Sequence, residues 1–145
     1  MHTIGVFACV FDEKGHVLCV RENYGERLWA MPGGRLEKSE DPVSAVEREA
    51  LEEAAATIRV RALAGVYAAT HRDDVVLLFT ADLVERGTRL PDDEISEVGF
   101  FAIDALPEPM GGNTRLRFDD IVAGKLGVLR SLSAPGVLIP AGCLP

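Results

Sequence analysis

The sequence predicts a mixed α+β fold, on three observations. Two β-branched, apolar runs open the chain, an Ala/Leu/Glu-rich stretch follows, and two longer strand-like runs and a second helical stretch come after it. The order of strands, helix, strands, helix, with strands adjacent in sequence, points to a mixed sheet with helices packed on it.

Residues 3–11 (TIGVFACVF) are β-branched and aromatic and predict a buried strand. Asp12 to Gly15 is a turn, and 16–21 (HVLCVR) the returning strand of a β-hairpin. Residues 22–41 are rich in Gly, Pro and charge, so no helix is expected before Asp41-Pro42. That pair is a start signal, with Asp41 as cap and Pro42 in the first helical position. The helix runs from Val43 to about Ala56, and Val43, Val46, Ala50 and Ala54 give it one buried face. Strands are expected at 58–69, with a bulge near Gly65, and at 75–84, joined by a turn at His71-Arg72-Asp73-Asp74. A loop over 85–93 leads to a short strand at 98–101. Asn113 or Thr114 then caps a second helix, which reaches about Ala123 and ends at Gly124. Pro135, Gly136, Pro140, Gly142 and Pro145 predict an irregular tail, so residues 1–132 form one domain and 133–145 an appendage.

Composition narrows the function. The 145 residues are 48% hydrophobic and 26% charged, which suits one globular domain and not a disordered chain. A net charge of -8 speaks against a protein that coats nucleic acid or an anionic membrane. It fits one that binds cations, or that reaches anionic ligands through metal. Cys9, Cys19 and Cys143 form no CxxC. Cys9 and Cys19 flank the turn symmetrically and read as two reduced core thiols. The apolar run from Ile4 to Phe11 is too short to span a membrane and wrongly flanked for a signal peptide, so a cytoplasmic protein is the default expectation. His2, His16 and His71 lie outside any ligand spacing, and the last two fall at turns.

The chemistry concentrates in Glu49, Glu52 and Glu53. On a helix Glu52 lies about 60° to one side of Glu49 and Glu53 about 40° to the other, so the three share one face. Like charges at this spacing oppose one another, and anions near a helix C-terminus oppose its dipole. Arg48 is the one base on this helix, so a compensating cation is expected. A lone ExxEE is most often a solvated acidic face. What precedes the helix changes the weighing: Gly33-Gly34 can bring backbone carbonyls close to a metal, Pro32 stiffens the approach, and the loop 35–41 returns Glu37 and Glu40 toward the helix. Hard carboxylate oxygens suit Mg2+ or Mn2+.

Gly34, Glu40, Arg48, Glu49, Glu52 and Glu53 match the signature of the Nudix (MutT-like) hydrolases, G-x5-E-x7-R-E-U-x-E-E-x-G-U, with U a bulky aliphatic residue. Trp29 to Gly34 (WAMPGG) resembles the family's lead-in. Ala50, Ala55 and Ala56 depart from the pattern at its first aliphatic, its glycine and its last aliphatic. Ala55 takes a left-handed cap less cheaply than glycine, so the helix is expected to end differently or run on.

The resemblance implies an α/β/α sandwich with a mixed sheet between helices. It implies hydrolysis of a nucleoside diphosphate linked to another moiety, with Mg2+ or Mn2+ as cofactor. Glu49, Glu52 and Glu53 would bind metal with a Gly33 or Gly34 carbonyl, and Arg48 and Glu40 would hold the loop on the helix. The general base would be Glu49 or Glu53, or an acid of the downstream loop, where Glu94 is better placed than Asp92, Asp93 or Glu97. Arg21, Tyr24 and Arg27 precede the box and are candidates for phosphate or base contacts. The expected substrate is a (d)NTP or modified nucleotide. The alternatives are an NDP-sugar, ADP-ribose, or a non-catalytic nucleotide-sensing module. No nucleic-acid polymer or membrane partner is expected, and a homodimer is left open.

Overall fold

The computed structural model describes residues 2–140; Cys143 and the last residues of the expected tail lie outside the described residues. One mixed sheet is built from β1 (Thr3–Phe11), β2 (Val17–Glu22), β3 (Trp29–Ala30), β4 (Gly33–Arg35), β5 (Ala56–Ala69), β6 (Asp74–Arg86), β7 (Ile95–Phe101), β8 (Val128–Ala134) and β9 (Val137–Leu138). Its order is β3-β2-β1-β6-β5-β8-β9, with β4 also on β1 and β7 on β2. Helix α1 (Pro42–Ala54) and helix α2 (Gly112–Val122) cover opposite faces.

Alternation along β1 creates the two layers. Val6, Ala8 and Val10 pack with Ala45, Val46, Ala50 and Ala54 of α1. Phe7, Cys9 and Phe11 face the other way, onto the cluster holding Phe118 of α2 and Trp29, Tyr67 and Leu78. The small residues of α1 let it lie close on the sheet. Asp41 caps this helix as expected: its Oδ1 accepts from the Ser44 N–H at 2.9 Å, and Pro42 is the first helical residue. Cys9 and Cys19 are both free and fully buried, and burial pushes both thiols up to about 12.

The predicted hairpin is only partly formed. β1 and β2 pair at Phe11↔Val17 and then diverge. β2 turns to β7 and β3, while β4 takes over the edge of β1 at Gly5↔Arg35, Val6↔Gly34 and Phe7↔Gly33. The other edge of β1 is filled in parallel by β6, from Thr3↔Asp74 to Phe11↔Asp82. The split between β1 and β2 is what opens a cleft in the sheet.

Three expectations need correction. Residues 133–140 are not an irregular tail: β8 pairs in parallel with β5 from Gly65↔Val128 to Ala69↔Leu132, and Pro135-Gly136 turns the chain into β9. Buried Leu132 anchors this addition in the α2-side core. Helix α2 begins earlier than expected, after Gly111, with no side-chain cap. The Asn113 Oδ1 instead accepts from the Gly136 N–H at 2.7 Å, which ties α2 to the β8–β9 turn. No helix among the described residues is long and apolar enough to cross a membrane.

Candidate active site

The glutamate cluster occupies the last two turns of α1. The helix ends where the signature glycine would end it, with Ala55 itself left-handed at φ 52° and ψ 30° and its N–H returned to the Ala50 and Leu51 carbonyls. The alanine therefore changes the cost of the cap rather than its shape. At the helix end, Arg89 Nε donates to the Glu52 backbone carbonyl at 2.9 Å. The same guanidinium donates to the Leu90 carbonyl at 2.9 Å and to Asp92 Oδ2 at 2.7 Å. Asp92 in turn accepts the N–H groups of Glu94 and Ile95, so Arg89 fixes the loop that carries Glu94 against the helix end.

Arg48 organises the other side. It grips Glu40 with two hydrogen bonds, Nε to Oε2 at 2.7 Å and Nη2 to Oε1 at 3.0 Å. Its Nη1 donates to Glu49 at 3.0 Å and Glu52 at 3.1 Å, and Glu37 lies 3.7 Å away. The hydrogen bonds from Arg48 hold the Glu40 carboxyl below its usual range. Glu49 is raised instead, because burial outweighs the pull of Arg48. Glu52 is more than half exposed and stands at the rim.

Glu53 is turned inward. Its Oε1 accepts from the Gly33 N–H at 2.8 Å. Burial, reinforced by the charges of Glu49 and Glu94, pushes its carboxyl up to about 8, against the pull of Gly33 and Arg89. Gly33 is sterically required, and Gly34 leaves room for the Glu49 carboxyl. A Cβ on Gly33 would collide with the Val6 carbonyl and the Phe7 ring, and one on Gly34 would lie 2.7 Å from the Glu49 carboxyl carbon. Among the described residues no three acidic, histidine or cysteine side chains converge in a ready-made metal cage. Glu49 and Glu52 are instead held by Arg48. The donor chemistry nonetheless fits a hard divalent cation: two part-buried carboxylates raised by burial, each pressed against a side-chain-free glycine.

The cleft between β1 and β2, about 280 Å³, is lined by Glu53, Gly33, Gly34, Tyr24, Arg35 and Arg72 among others. Tyr24 lines this cleft, its hydroxyl donating to Glu22 at 2.9 Å. Arg21 does not: it donates to the Arg27 carbonyl, sits 3.6 Å from Glu97 and lies over the Trp29 ring. Arg27 is exposed on a left-handed turn (φ 54°) and lines none of the cavities described here. Of the loop acids, Asp92 is spent on the turn and Glu97 faces Arg21, which leaves Glu94 as the loop acid whose charge reaches Glu53. Arg35, Arg72 and Arg89 were missed by sequence reasoning, because isolated arginines carry no spacing signal.

Comparison with known proteins bears on the family and the fold. Residues 1–119 match the NUDIX domain family. A MutT-like protein of Streptomyces ambofaciens is 32% identical over 142 residues, spanning 98% of this chain and 90% of that protein. A Bacillus subtilis protein provisionally named an 8-oxo-dGTP diphosphatase is 28% identical, over 95% of this chain and 92% of its own. The crystal structure of a NUDIX hydrolase from Nitrosomonas europaea superposes with a TM-score of 0.74 at 26% identity, covering 90% of this chain and 78% of that one. The chain belongs to the NUDIX family. Within it, the protein is a Nudix pyrophosphohydrolase.

Proposed function

We propose that the protein is a divalent-metal-dependent pyrophosphohydrolase of (d)NTPs or modified nucleotides, with the diphosphate seated in the cleft over Gly33, Gly34 and Glu53. The observation that carries this reading is Glu53: a carboxylate buried at the cleft wall, near Glu49 and Glu94, with no side-chain cation bonded to it among the described residues. Nudix hydrolases generally use divalent metal ions. Mg2+ or Mn2+ would be held by Glu53, Glu49 and Glu52 with a Gly33 or Gly34 carbonyl, and would supply charge neutralisation of the diphosphate oxygens.

The chain's own residues divide the remaining work. Arg48 and Glu40 hold the loop 35–41 to α1 and so fix Gly34 beside Glu49. Arg35 brings positive charge to the cleft mouth for the phosphates. Tyr24 offers a face for stacking a base. We assign to Glu94, on the loop fixed by Arg89, the role of taking a proton from the attacking water, its charge reaching Glu53, with Glu53 and Glu49 as the alternative carboxylates. A release assay over (d)NTPs, oxidised dGTP, ADP-ribose, NDP-sugars and dinucleoside polyphosphates tests the substrate class. Turnover of (d)NTPs or oxidised dGTP above the rest, abolished by chelation and restored by Mg2+ or Mn2+, is expected. Full activity after exhaustive chelation would sink the metal reading.

A further inference from the structure

The cleft does not end at the box helix. A second cavity, about 350 Å³, continues it and shares Phe7, Glu22, Ala30, Arg72 and Asp74 with the first. Its far wall is the first turns of α2, and there Arg117 is only 6% exposed. The Arg117 Nε has no hydrogen-bond partner, and among the described residues the guanidinium makes no ion pair. It lies over the Phe7 ring at 4.9 Å and near the Tyr67 ring at 5.8 Å. An unpaired buried guanidinium is costly, so its retention at a cavity wall calls for a ligand that supplies acceptors.

Two independent features add donors to the same cavity. Helix α2 has no side-chain cap, so the N–H groups of its first turn are free to meet an anion. Arg72, exposed at the shared wall, makes no ion pair among the described residues. Two acids share the cavity: Glu22 accepts from the Tyr24 hydroxyl at 2.9 Å, and Asp74 from the Thr3 hydroxyl at 2.6 Å. Neither accepts a hydrogen bond from Arg117, whose Nε keeps no acceptor within the protein.

We propose that this end of the cleft is an anion subsite, which takes a phosphate group of the substrate remote from the diphosphate that is cleaved. The proposal rests on the diphosphate seat described above. It assigns Arg117 and Arg72 to reading that remote phosphate, with the α2 N-terminus behind them.

Two experiments test it. In the first, metal-free protein in chelator is titrated with orthophosphate at constant ionic strength, with chloride as control, and the melting temperature is followed. A saturable rise is expected in the wild type, reduced in Arg72→Ala and lost in Arg117→Met. Arg117→Met should itself melt no lower than the wild type, since it removes an unpaired charge and keeps the apolar packing. If it fails to fold, the exposed Arg72→Ala decides, and an undiminished orthophosphate response there overturns the proposal. In the second, ATP is compared with ATP bearing an added 3′-phosphate. A preference of about tenfold for the latter is expected, expressed in KM and lost in both variants. An orthophosphate response equal in all three proteins, or none in the wild type, overturns the subsite. A response to orthophosphate without any substrate preference means that the site serves a free anion, and overturns the assignment to substrate. Failure of every nucleotide to be hydrolysed would sink the diphosphate reading while leaving the orthophosphate result standing.

Discussion

The carbonyl of Ala55, the left-handed residue that closes helix α1, accepts the N–H of Gly87 at 2.8 Å, and the two residues are matched in size. A Cβ on Gly87 would come within 2.7 Å of that carbonyl oxygen and 3.1 Å of the Ala55 Cβ. Ala55→Gly should stabilise the protein by about 0.5–1 kcal/mol, because glycine adopts φ 52° without the cost that a Cβ brings. Gly87→Ala should destabilise it. Denaturant melts of both variants check the pair, and a stabilised Gly87→Ala would contradict the contact.

Metal-free stability should fall with rising pH. The Glu53 carboxyl is raised from an ordinary value near 4.5 to about 8, so the folded state holds its proton more tightly than the unfolded chain. Its contribution is therefore fully present below about 4.5 and is lost as pH rises through about 8. Melting temperatures of the metal-free protein should show a decline across this window that Glu53→Gln lacks. Saturating Mg2+ should shrink the decline. Equal slopes in the two proteins would mean that other groups carry it.

Kinetics separate the box from the loop. Glu53→Gln should lower kcat by several orders of magnitude while the fold survives, since glutamine keeps an oxygen for the Gly33 N–H and removes a carboxyl whose ionisation burial opposes. Glu94→Gln should cost about 10²–10⁴-fold in kcat if it takes the proton from water. Near-normal turnover in Glu53→Gln, or loss of the fold, would make Glu53 a structural residue instead.

Arg89→Ala should cost stability and rate together. The side chain is 13% exposed, and its loss removes the bond to the solvent-facing Glu52 carbonyl, at about 0.5–1.5 kcal/mol. With the Asp92 loop released, Glu94 loses its fixed position, so kcat should fall more than KM rises. Arg89→Lys should recover part of the stability and little of the rate. Unchanged kcat in a folded Arg89→Ala would show that the loop needs no such tether.

The legible part of this molecule was local. Fixed spacing revealed Glu40, Arg48, Glu49, Glu52 and Glu53, and periodicity revealed α1, β1, β2, β5 and β6, because helix and strand repeats print directly on sequence. β3 and β4, two and three residues long, are too short to show a period. The proline and glycine near 135 read as an irregular tail, whereas they form the turn of a strand pair added to the sheet edge. Arg21 and Arg27 looked like phosphate ligands by proximity to the box, but the β2–β3 turn points them elsewhere. Arg89 bonds to the Glu52 carbonyl and Arg117 lies over the Phe7 and Tyr67 rings, neighbours far along the chain that no local window contains.

The parallel ladder between β1 and β6 joins residues 71 apart in sequence, as the Thr3–Asp74 hydrogen bond marks. A newly made N-terminal strand therefore has to wait for more than half the chain before its central edge is covered. Gly33 and Gly34 are seated on the opposite edge of that same strand. Assembly of the cleft should consequently be a late event in refolding, slower than formation of helix α1. A burst of helical signal should precede any recovery of turnover.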